Sequence, residues 1–82
     1  MIQAGPYFLN ELERNILLVI GEAGAASVRQ VHDKLENFDF ISVMRETHKL
    51  HGKGYLTQNH IGGEARYKVK PRILNELKRT VL

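Results

Sequence analysis

The chain has 82 residues, no cysteine, a hydrophobic content of 43% and a formal net charge of +3. A chain of this length holds one domain with a thin core, burying roughly 60–65% of its unfolded surface. Its apolar content excludes a disordered chain, and the lack of cysteine excludes disulfides and thiolate metal sites.

The first helix is expected over about residues 9–23. Asn10 is a capping residue, and Glu13 stands three positions on, the spacing of a reciprocal capping box. Leu9, Leu12, Ile16, Val19 and Ile20 form one apolar stripe, and Gly21 with Gly24 weakens and ends the helix. Ala25 and Ala26 form a short extended link. Ser27 caps a second helix over 28–36, with Gln30 completing a second box and Val28, Val31 and Leu35 on one face. Asn37, Phe38 and Asp39 make the next turn, with Asn37 in the left-handed conformation that Asn tolerates.

A third helix is expected over 42–51, capped by Ser42. Val43, Thr47 and Leu50 share one side; Arg45, His48 and Lys49 share the other, with Ser42 at its leading edge. Gly52 and Gly54 stop it. Residues 55–70 read as a hairpin. Leu56 points inward on the first strand, Gly62 and Gly63 supply the turn, and Ala65, Tyr67 and Val69 alternate with Arg66, Lys68 and Lys70 on the return strand. Pro71 ends that strand. A last helix over 72–82 carries Ile73, Leu74, Leu77 and Val81.

The order is that of an α+β chain. A helix with basic groups outward, followed at once by a basic hairpin, is the layout of a winged helix-turn-helix: a three-helix core, a two-stranded wing and a C-terminal helix. The whole chain, 1–82, is expected to be one such domain. Charge supports a polyanion partner. Residues 1–39 carry net −3, from three cations and six carboxylates, whereas residues 40–82 carry net +6, from nine cations and three carboxylates.

Five segments, at residues 9–13, 28–32, 40–43, 53–56 and 65–69, resemble the DNA-binding domain of winged-helix repressors of the penicillinase-repressor type. The shared features are a Leu-x-x-x-Glu start, Val-x-x-Val-His in helix two, and an aromatic-x-Ser-Val start to the recognition helix. Lys-Gly before the wing and an Arg-Tyr alternation within it complete the pattern. The resemblance covers about three quarters of the chain. It implies a transcriptional regulator that binds double-stranded DNA.

Arg45 suits the O6 and N7 acceptors of guanine, Ser42 suits a phosphate near the helix start, Lys49 and Lys53 suit phosphates, and His48 suits either. In the wing, Arg66 suits a narrow minor groove and Lys68 a phosphate. Homodimerisation is expected through Ile73, Leu74, Leu77 and Val81, together with the apolar N-terminal segment. The alternative is a protein-interaction module within a nucleoprotein assembly, with the acidic first half as its surface. No enzyme, cofactor, metal or small-molecule ligand is expected, since no nucleophile elbow, phosphate loop or metal-binding pattern occurs. The N-terminus lacks a basic start and no stretch reaches the ~18 apolar residues of a membrane span, so a cytoplasmic protein without a membrane partner is expected.

Overall fold

The computed structural model describes residues 9–81, with side chains placed through Leu77. Helix α1 spans Glu11–Ala23 and opens on the expected capping box. The Glu13 N–H donates to Asn10 Oδ1 at 2.8 Å, and the Asn10 N–H donates to Glu13 Oε1 at 3.0 Å. Ile16, Leu17 and Ile20 are fully buried, while Leu9, Leu12 and Val19 flank the core half-buried. Leu17 lies outside the anticipated stripe because α1 meets α2, α3, α4 and the second strand, so its buried face is wider than one seam. Gly21 does not end the helix. A Cβ there would meet Leu74 Cδ1 at 2.6 Å, so the glycine lets the C-terminal helix lie close against α1.

Helix α2 spans Val28–Lys34 and is two residues shorter than expected. Its box is intact, with Gln30 N donating to Ser27 Oγ at 3.2 Å and Ser27 N to Gln30 Oε1 at 2.9 Å. Leu35 leaves the helical path and donates to the His32 carbonyl, and Phe38 N donates to the Leu35 carbonyl, both at 3.0 Å. His32 Nε2 donates to the Phe38 carbonyl at 3.1 Å. These bonds make the turn. Asn37 is not left-handed, since no described residue other than glycine has a positive φ.

Helix α3 spans Phe40–Gly52 and starts two residues before the expected point. Asp39 occupies the cap position, and its carbonyl accepts the first helical bond from Val43 N at 3.1 Å. Ser42 is therefore inside the first turn and is not the cap. Val43, Thr47 and Leu50 are fully buried, as their spacing implied. The Thr47 hydroxyl donates to the Val43 carbonyl at 2.7 Å, which satisfies a polar group that would otherwise be costly to bury.

Strands β1 (Leu56–Ile61) and β2 (Glu64–Val69) pair antiparallel. Ile61 faces Glu64, leaving Gly62 and Gly63 as a two-residue turn with φ of 60° and 81°. Positive φ at both positions matches the right-handed twist of a hairpin, and glycine adopts it without strain. The Ala25–Ala26 link is extended as read. Ala26 bridges Tyr67, with backbone bonds of 3.0 and 2.8 Å, so β2 lies between β1 and Ala26. Helix α4 (Pro71–Val81) closes the core from the opposite end of the chain, with Ile73 and Leu77 buried and Leu74 half-buried.

Candidate nucleic-acid interface

Helix α3 is held by its inner face and leaves the outer one free. Arg45, His48 and Lys49 are all exposed there, and Ser42 is half-buried at its edge. Lys49 Nζ lies 3.8 Å from the Glu46 carboxylate one turn back, with the lysine side chain 54% exposed. A pair this open leaves the ammonium available to another anion.

Asp39 adds a negative charge at the mouth of the same helix. Its carboxylate makes no capping bond to the backbone. The Ser42 hydroxyl, more than the backbone N–H groups and the nearby Arg45 charge, nevertheless holds its pKa below the usual carboxylate value. Asp39 is therefore ionised at neutral pH and opposes a phosphate at that end.

The hairpin register sorts the wing into two faces, because residues directly opposite one another point the same way. Leu56 with Val69 and Gln58 with Tyr67 face the core. Thr57 with Lys68 and Asn59 with Arg66 face outward. Lys68 is exposed, whereas Arg66 is only partly so, with its Nε 3.6 Å from Glu64 Oε1. Glu64 thus diminishes the charge that Arg66 presents. Lysines on β2 are not needed to shield a bare sheet edge at Tyr67, since Ala26 and β1 flank the strand there. Thr57 and Asn59 were not singled out from the sequence. Counting back from a two-residue turn would have paired them with the wing cations.

Tyr67 joins the two elements. Its ring is buried, with His51 edge-on at 5.9 Å, His48 tilted at 6.4 Å and its hydroxyl accepting from Gln58 Nε2 at 3.2 Å. Burial pushes its phenol pKa upward, against a smaller opposing effect of the Gln58 bond. His48 therefore leans from the outer face of α3 toward the wing.

Two groups of sequence-predicted residues have other partners. Lys53 Nζ lies 3.2 Å from Glu13 Oε2 and is hydrogen-bonded to it. Ile73 and Leu77, expected at a dimer interface, are packed into the chain's own core, because α4 buries that stripe against α1. Leu74 stays half-buried against the same core; the Val81 side chain and residues 1–8 lie outside the described residues. No three His, Asp or Glu side chains among the described residues are grouped so as to hold a metal. No described helix is long and apolar enough to cross a membrane.

Solved structures share this arrangement. A DNA-binding protein of Bordetella bronchiseptica, BpsR, regulated by 6-hydroxynicotinic acid, superposes with a TM-score of 0.76 at 19% identity, over 89% of this chain and 53% of that one. A mutant of E. coli MarR complexed with operator DNA gives 0.76 at 15%, over 95% and 59%. ZitR, a zinc-responsive MarR family member of Lactococcus lactis, gives 0.77 at 11%, over 99% and 64%. The fold is a winged helix-turn-helix. This winged helix spans between about half and two thirds of those chains. No family model matches it, and no curated protein does. The likeness is thus to MarR-type structures, whereas the sequence motifs resembled the penicillinase-repressor type. The winged helix is what the two have in common.

Proposed function

We propose that this winged helix is a sequence-specific binder of double-stranded DNA that regulates transcription as a repressor, and that it is not an enzyme. The observation that carries the reading is the outer face of α3, where Arg45, His48 and Lys49 stand exposed beside a wing coupled to that helix through Tyr67. In this reading α3 enters the major groove, Arg45 reads a base edge, and Lys49 and Lys68 neutralise phosphates. Ser42 offers its hydroxyl to the backbone at the helix start. Thr57 and Asn59 add hydrogen-bonding groups to the wing face, and Arg66 joins them when Glu64 releases it. Lys53 serves first to hold α3 on α1. That the E. coli MarR mutant, which shares this fold, is complexed with operator DNA supports DNA as the partner.

We propose further that two copies bind a two-fold site. Ile73 and Leu77 are committed to the core and Leu74 packs over Gly21, so Leu74 contributes to that contact only with its half-exposed side. Sedimentation of the full chain tests this, and a monomer at high concentration removes it.

Fluorescence anisotropy on a labelled random duplex, from about 50 to 200 mM salt, tests DNA binding itself. Each phosphate contact contributes a slope of about −0.9 in log affinity against log salt. A steep slope that falls on replacing Lys49 and Lys68 supports the reading. No binding at low salt defeats it and favours a protein partner.

A further inference from the structure

We infer that Ile41 reads the C5-methyl of a thymine in the major groove, beside the base engaged by Arg45; this rests on the DNA-binding reading above. The large hydrophobic side chains left exposed among the described residues are Phe40 at 40%, Ile41 at 53% and Ile61 at 56%. Phe40 and Ile41 stand at the start of α3, the helix that carries Arg45, His48 and Lys49, and Ile61 stands at the end of β1, the strand paired with the basic β2. A single exposed apolar residue is ordinary, so it is the placement that matters.

Phe40 has a partner, since the His32 ring meets it edge-on at 5.5 Å. Ile41 does not belong to the core or to the half-buried residues packed on it. It stands four positions before Arg45, one helical turn away on the same outer face. The first turns of a helix lying in the major groove are those that reach base edges. A β-branched side chain is stiff in a helix, so Ile41 loses little freedom on contact. The phosphates and most base edges offer this side chain only polar atoms; the apolar group in the groove is the thymine methyl. An isoleucine one turn ahead of an arginine thus reads a thymine next to a guanine.

The test begins by selecting a preferred duplex from a random pool with the full chain. Each thymine of that duplex is then replaced singly by deoxyuridine, which deletes only the methyl group. Affinities are measured for the wild type and Ile41→Ala. The expected result is one thymine per half-site whose replacement weakens the wild type about fourfold, the worth of one buried carbon group. Ile41→Ala should lose a similar factor on the thymine duplex and nothing more on the deoxyuridine one. It should match the wild type on random duplex, which also shows that it is folded. Equal losses for both proteins at every thymine, or no loss at any, overturn the inference while leaving DNA binding in place. Failure of the wild type to bind any duplex overturns both readings.

Discussion

Lys53 and Glu13 are 40 positions apart in sequence and 3.2 Å apart in space. The pair ties the start of α1 to the residue that caps the end of α3. Glu13 is buried and uses both oxygens, one on the Asn10 N–H and one on Lys53, while the Lys53 side chain remains 41% exposed. Glu13→Ala is therefore expected to cost about 1–3 kcal/mol, since it removes half of a capping box and the charge-assisted bond to Lys53. Glu13→Gln should cost less, because an amide oxygen still accepts from Asn10. Urea unfolding of both variants checks the order, and equal losses would show that the charge of Glu13 is its only contribution.

Arg45 and Lys68 should fail differently. Arg45→Ala is expected to cost about 1–3 kcal/mol on a selected duplex and to relax the preference at one base pair. Lys68→Ala should weaken selected and random duplexes alike and reduce the salt slope by about 1. Anisotropy on both duplexes separates them. Similar losses on both for Arg45→Ala would remove it as a base reader.

Asp39 predicts a gain. Its carboxylate is exposed and ionised at neutral pH, and the Ser42 hydroxyl above all holds its pKa below the usual carboxylate value. Asp39→Asn keeps a residue suited to the cap position and deletes a charge that repels phosphate. Affinity for any duplex should rise, without a change in sequence preference. A loss of affinity would mean that Asp39 orients Ser42 or Arg45 for contact.

Tyr67 predicts an alkaline limb. Burial raises its folded pKa above the usual value of about 10. Folding therefore favours the neutral phenol. The resulting stability is complete below about pH 10 and is lost as pH rises through the folded value. Tyr67→Phe should cost about 1 kcal/mol near neutrality, for the Gln58 bond, and should flatten the decline above pH 10. Urea unfolding at neutral and alkaline pH, compared between wild type and variant, checks both parts. An unchanged slope would mean that Tyr67 ionises freely in the folded chain.

The two capping boxes, the buried trio of α3 and the two-glycine turn were all legible, because in each the successive residues stand no more than four positions apart. The end of α2 and the start of α3 were not. His32, Leu35 and Phe38 bond to one another only once the chain turns, and Asp39, not Ser42, takes the cap. The exposed basic residues of α3 were readable from helical spacing. Their neighbours Thr57 and Asn59 needed the register of the hairpin.

Outside the junction of α2 and α3, the sequence by itself determined which stretches are helix, strand and turn, and which face of α3 is basic, since periodicity and capping are local. Tertiary structure alone decided what those faces meet. Lys53 looked like a free cation until the fold brought Glu13 to it, and Ile73 and Leu77 looked like an open apolar stripe until α4 lay on α1. Gly21 looked like a helix stop until Leu74 arrived above it. In each case the deciding partner is distant in the chain, so no local pattern encodes the contact, and only the packing of the helices around Tyr67 and the α1 core brings it about.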